Sequence, residues 1–296
     1  MGQNKMSVSI NPSEQAAEQT SKSVMPVRRD LEFKLPEERI GDWHAAGRQV
    51  SHFFNVLSLF FPDGERFFIH SIRNYRDRIK DPTLDKAVTA FIGQEAMHSR
   101  EHAECNMLLD KANLPGSRLQ ARVAWVVSLV KKLPMIIQLA VTIALEHLTA
   151  TMANAVLEDP RNLRGSEPSY ANMWHWHALE ETEHKGVAYD VWNAVIKGNV
   201  LTYLLRVIVL SAATLVFAVL VYQFYRAVVK ADPAAAAENG SETRRWLFKS
   251  PGFLARAGAD WLDYFRPGFH PWMHDNRNYL PDVGPLVEEV KMHASA

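Results

Sequence analysis

From Asp42 onward, apolar residues recur at steps of three and four, and nowhere do they sustain the alternation of a strand. That periodicity leaves one fold class, all-α. A first helix is predicted over about Trp43 to Leu59, and Phe61-Pro62-Asp63-Gly64 punctuates the chain before a second, from about Asp63 to Ile79. The third opens at Pro82-Thr83, runs to about Leu109 and stops near Asn113-Leu114-Pro115-Gly116. A fourth follows Pro134 and ends at Asp159-Pro160, because the residue before a proline is pushed out of the helical region. The fifth covers about Tyr170 to Ile196 and closes on Lys197-Gly198-Asn199.

A further apolar helix occupies about 200–229, and within it Val207 to Tyr225 carries no charge. The stretch is long enough to cross the hydrocarbon layer of a bilayer. It fits either a membrane helix or a helix buried on all sides in a large bundle. Flanking charges select no orientation, since Lys185, Lys197 and Arg206 precede it and Arg226, Lys230, Arg244 and Arg245 follow.

Around a bundle of 28–230, the ends read differently. Residues 1–27 form a polar tail with almost no apolar clustering, too little to offset the entropy of ordering. Asp30, Glu32, Lys34 and Glu37 follow Arg28-Arg29 where an export signal needs an apolar run, and Met6 stands where acylation at Gly2 needs Ser or Thr. Ala231 to Glu242 reads as a linker, and the remainder to 296 as a helix and tail packed on the bundle, irregular around Arg266 to Trp272. Lys and Arg number 33 against 33 Asp and Glu, which excludes the basic surface that nucleic-acid binding requires. One cysteine, Cys105, excludes an internal disulfide and fits a reducing compartment. The expected location is the cytoplasm, with inner-membrane association if Val207 to Tyr225 meets a bilayer.

Two Glu-x-x-His pairs, Glu95/His98 and Glu181/His184, fall inside predicted helices. Spacing of three puts each carboxylate and imidazole on one helical face, where both can bind one ion. Glu65 on the second helix and Glu146 on the fourth complete the order Glu, Glu-x-x-His, Glu, Glu-x-x-His, with which a four-helix bundle holds two metal ions. Glu65 also suits a helix N-terminus as a dipole-complementing charge. Glu146 lies in the apolar run Ile136 to Leu148, where an unpaired carboxylate is costly to bury. His102 and His177 return to the same faces, and either can be a seventh ligand. Glu180, Glu183 and His147 point away, toward the surface or a supporting role behind the ligands. His44, His52, His70, His175 and His293 read as bystanders.

The segments Phe61-Pro62-Asp63-Gly64-Glu65-Arg66-Phe67-Phe68, Gln94-Glu95-Ala96-Met97-His98-Ser99-Arg100-Glu101-His102 and Leu145-Glu146-His147, with Trp174 to Lys185, resemble the bacterial family of predicted metal-dependent hydrolases. The likeness spans about Leu31 to Trp272. The ligand order also resembles the ferritin-like di-iron carboxylate proteins, which implies a ferritin-like four-helix bundle with extra helices. His177-x-x-x-Glu181-x-x-His184 is similar to the extra-histidine helix of di-iron arylamine N-oxygenases.

Mixed carboxylate and imidazole ligands suit iron first, with manganese and zinc also compatible. The primary expectation is an O2-activating di-iron oxidase or oxygenase acting on a small apolar or aromatic substrate and served by an electron donor. Phe67, Phe68, Phe91, Trp174 and Trp176 flank the ligands as pocket wall or ordinary core. The alternative is hydrolysis by a metal-bridging water, and a third class is a non-enzymatic metal-binding or storage bundle. No G-x-S-x-G elbow or phosphate-binding loop occurs.

Overall fold

The computed structural model describes residues 24–295, so most of the predicted N-terminal tail, with Gly2 and Met6, lies outside the described residues. Within them the chain is all-α and contains no strand. Its helices are α1 (Arg48–Ser58), α2 (Phe61–Arg73), α3 (Pro82–Lys111), α4 (Gly116–Val130), α5 (Met135–Glu158), α6 (Pro168–His184), α7 (Val187–Val195), α8 (Val200–Ala231), α9 (Pro233–Ala237), α10 (Gly240–Phe248), α11 (Phe253–Asp263) and α12 (Val283–Ser295).

Four of these close a ring: α2 packs on α3, α3 on α6, α6 on α5, and α5 back on α2. Local signals set the starts of two. Asp81 caps α3 by accepting from Thr83 N–H, with Pro82 following, and Glu167 caps α6 by accepting from Tyr170 N–H, with Pro168 following. The other helices lie around this ring, α4 against α2 and α3, α8 against α1 and α5, and α11 against α5.

Several predicted boundaries move, each for a physical reason. The first helix begins at Arg48, because Trp43 to Gly47 forms a turn in which Gly47 adopts φ +106°, a conformation that favours glycine. The stretch between Pro115 and Pro134, left without an element, is helix α4; its two prolines bound a helix instead of a loop, and Leu119 and Val123 face the core. The predicted helix from Tyr170 to Ile196 breaks at Lys185-Gly186. A Cβ on Gly186 would stand 2.6 Å from Trp272 Nε1, so the break is where the C-terminal segment seats its indole against the chain.

The predicted linker is a built joint. Asp232 accepts from the N–H groups of Ala234 and Ala235, from His52 Nε2 at 2.8 Å and from Arg48 Nε at 2.9 Å. The C-terminal part, predicted as a helix and tail packed on the bundle, contains two helices, α11 packed on α5 and α12 packed on α6. Nor is the apolar helix buried on all sides. Only 17% of the most apolar window of α8 is buried, against 56% for α5, the other described helix long and apolar enough to cross a membrane. Ile208, Leu215, Val219 and Tyr222 face outward.

Candidate metal centre

The ring of α2, α3, α5 and α6 brings the sequence-predicted residues together in its interior. Glu65, Glu95, His98, His102, Glu146, His177, Glu181 and His184 are each at most 3% exposed. Six of them sort into two groups with mutually close ligand atoms, Glu65/His98/His177 and Glu95/Glu181/His184, each within 4.8 Å. Glu181 links the groups: its Oε1 lies 3.1 Å from His177 Nε2 and its Oε2 lies 3.5 Å from His184 Nε2. Glu146 Oε2 is 3.8 Å from the same His184 nitrogen.

The hydrogen bonds fix which imidazole nitrogens face inward. His184 Nδ1 lies 3.1 Å from Gln94 Oε1, which can only accept, so Nδ1 carries the proton and Nε2 presents a lone pair. That Nε2 sits 3.1 Å from Glu95 Oε1 without hydrogen-bond alignment. His98 has the opposite arrangement, with Nε2 3.1 Å from Glu180 Oε2 and Nδ1 without a partner. His102 is differently engaged. Its Nε2 is 2.7 Å from His177 Nδ1 and its Nδ1 is 2.9 Å from Ser58 Oγ, so both nitrogens are occupied and it belongs to neither group.

Buried acceptors aimed at one another with nothing between them are costly. Glu65 Oε1 and both oxygens of Glu95 and Glu146 have no hydrogen-bond partner among the described residues. Burial, and then the neighbouring carboxylates, push Glu65, Glu95 and Glu146 well above the usual carboxylate range. Burial, and then the nearby His177, hold His98 and His102 well below the usual imidazole value. No Lys or Arg among the described residues is ion-paired to Glu65, Glu95, Glu146 or Glu181. Two divalent cations would balance their charge, and the donor set of carboxylates and neutral imidazoles suits such ions.

Around the inner residues lies a ring of supporting groups, several of which sequence reasoning missed. Ser99 Oγ donates to Glu65 Oε2 at 3.0 Å, and Thr149 Oγ1 donates to Glu181 Oε2 at 2.7 Å. Glu180 and Glu183 are buried, correcting the surface half of their prediction and leaving them behind the ligands. Arg29 donates to Glu180 Oε1 at 3.0 Å and Glu183 Oε1 at 2.7 Å, tying the segment before α1 across α6. Gln94, which orients His184, also donates to Glu183 Oε2 at 2.8 Å. Two signals were available: Gln94 immediately precedes Glu95, and Thr149 lies three residues past Glu146. Arg29 gave none, since its role depends on where the N-terminal segment folds back. His147 points elsewhere, against Tyr264 and Phe269.

Aromatic rings wall the centre. Trp176 meets the edge of His98 at 4.7 Å, Phe91 meets His184 at 5.0 Å, and Phe61 lies 4.5 Å from both His102 and His177. Beyond Glu65 opens an apolar cavity of about 330 Å³ between α2, α4, α5 and α8, with Phe67 and Phe68 in its wall. Trp174 packs into the core beside His102 and Phe54.

Residues 27–275 match the family described as predicted metal-dependent hydrolase. The chain belongs to that family. The match encloses every residue of the two groups and the supporting residues Arg29, Ser58, Gln94, Ser99, Thr149, Glu180 and Glu183, and it extends through α8 and α11. Membership therefore covers the ring, the cavity and the apolar helix together. No curated protein and no solved structure matches the chain.

Proposed function

We propose that Glu65, Glu95, His98, Glu146, His177, Glu181 and His184 hold two divalent metal ions, and that the chain is a metal-dependent hydrolase. The observation that carries the reading is the convergence of unpartnered, buried carboxylate oxygens with the lone pairs of His98 Nδ1 and His184 Nε2. Glu181 serves both groups, and His177 acts as the seventh ligand with His102 as its orienting partner. When bound, such ions acidify water and polarise the oxygen of a scissile bond. The protein's own residues do the rest. Gln94 and Glu180 lock the two imidazoles in the tautomers just described, Ser99 and Thr149 hold Glu65 and Glu181 in place, and the aromatic wall keeps bulk water out. Glu65 lines the apolar cavity as well as the first group, so it marks where a bound molecule meets the centre.

The water-poor, aromatic wall and the added histidine favour one second reading, oxidation of an apolar substrate by O2 with iron in the same site and an electron donor outside it. One experiment separates the two. The full chain is purified anaerobically, its metals are counted, and it is assayed with a chromogenic carboxylic ester and, after reduction, with O2. The expected result is two metals per chain and ester hydrolysis that a chelator abolishes. Fewer than one metal per chain overturns the metal centre; rapid O2 consumption with oxidation of bound iron, and no hydrolysis, overturns the hydrolase reading in favour of the second.

A further inference from the structure

The cavity behind Glu65 is long as well as apolar. Its wall follows α5 from Ile137 to Met152 and α8 from Val209 to Leu220, about 22 Å and about 16 Å at the rise of an α-helix. These stretches bound a channel of about 330 Å³ that runs beside both helices. It is large enough to be a ligand site in its own right. The lining is almost wholly hydrocarbon, mostly aliphatic side chains from α4, α5 and α8, with Phe61, Phe67 and Phe68 near Glu65 and the paired rings of Phe60 and Phe217. Glu65 and Thr149 are its polar residues. Both belong to the metal centre, the first as a ligand candidate and the second as the donor to Glu181.

At the rim the channel meets the surface. Leu133, in the turn between α4 and α5, is 42% exposed and Val216 on α8 is 46% exposed, and both line it. Val216 also belongs to the outward apolar side of α8, with Leu215 and Val219. A molecule leaving that side for the channel passes from one apolar surface to another.

We infer that this channel binds a single long aliphatic chain, an acyl or alkyl group, whose functional head reaches the metal centre at Glu65. Calling the chain part of the substrate rests on the hydrolase reading above; the binding of the chain does not. A small polar molecule finds no partner along it, since Glu65 and Thr149 are its only polar lining. The aliphatic chain gains by leaving water along the full length of the channel, so affinity rises with each methylene until the channel is full.

The test uses the full-length, metal-loaded protein with a fluorescent polyene fatty acid as probe and unlabelled fatty acids of 4 to 16 carbons as competitors. Competition is expected to strengthen with length, the 16-carbon acid displacing the probe at least 100-fold more effectively than the 4-carbon acid. Ala213→Trp, which fills the channel midway, is expected to weaken binding at least 10-fold. Val216→Arg, at the exposed rim where folding is undisturbed, is expected to weaken it about 5-fold. A second arm replaces free fatty acid with phosphatidylglycerol vesicles. Displacement of the probe by both marks a bilayer source for the chain, displacement by the free acid alone marks a soluble source, and either supports the channel. No saturable binding in either arm, or affinity that ignores chain length and both substitutions, overturns it. Metal content is counted on the same samples: a protein that binds the chain without metal keeps this inference and loses the hydrolase reading, and one with two metals and no chain binding does the reverse.

Discussion

Glu146 concentrates the competing terms of this protein in one side chain. It is 2% exposed, both of its oxygens are without a hydrogen-bond partner, and Glu181 and Glu65 repel it. Without metal that charge is a burden on the fold; on the proposed reading it becomes a ligand when metal binds. Glu146→Gln removes the charge and keeps the shape, so its effect should change sign with metal. In excess chelator the variant is expected to be more stable than the parent, by about 1–3 kcal/mol. With metal present it is expected to lose affinity at least 10-fold and with it the stabilisation that binding confers. Thermal unfolding with and without metal checks this; shifts of the same sign in both conditions would mean that Glu146 does not face the ions. That these side chains share helix faces was legible in the sequence, because spacing of three or four on a helix is a geometric statement. Glu95 and His98, or His177, Glu181 and His184, must share a face once the helix exists. Arg29 and Ser58 were not legible, since they reach the centre only after distant segments pack.

The elements show the same division between local and tertiary causes. Pro82 placed the start of α3, whereas α6 begins at Pro168, two residues before the predicted start, because Glu167 caps it locally. The break between α6 and α7 was invisible, since the apolar pattern continues through Gly186 and only the approach of Trp272 interrupts the helix. The turn before α1 is a similar case. His44 Nε2 lies 2.6 Å from the carbonyl of Asn162, and His44 Nδ1 accepts from Ala46 N–H at 3.0 Å. This requires the neutral imidazole with its proton on Nε2, and it ties the turn to the short helix after α5. Burial pulls the His44 pKa down to about 4, against the raising effect of the Asn162 bond. The unfolded chain takes a proton near pH 6.5 and the folded chain resists it until about 4, so the stability held by neutral His44 is complete above 6.5 and drains as pH falls through that window. Between pH 8 and pH 5 the parent is expected to lose about 2 kcal/mol more than His44→Gln. Parallel urea-unfolding stabilities for the two proteins across that range would show that His44 is not the group responsible.

At the scale of the whole molecule, the question is what the outer face of α8 meets. The sequence offered a span or a buried helix, and the packing departs from the second: α8 rests one side on α1 and α5 and turns Ile208, Leu215, Val219 and Tyr222 outward. Composition could not anticipate this, since a helix apolar on every side carries no moment to say which side is covered. A helix lying along a bundle whose other faces carry charge is better suited to rest on a bilayer than to cross it, because crossing would draw those charged faces into hydrocarbon. Trp125 and Leu129 on α4 are exposed apolar residues as well. On this reading the protein sediments with phosphatidylglycerol vesicles. Each fully buried Ile or Leu contributes about 1.5–3 kcal/mol, so Ile208→Glu combined with Leu215→Glu removes about 3–6 kcal/mol, roughly two to four decades of partitioning. Both positions are more than 60% exposed, so the variant is expected to keep the fold and the metal content of the parent. If instead the parent ignores vesicles and runs as a dimer that these substitutions dissociate, the face is covered by a second copy of the chain.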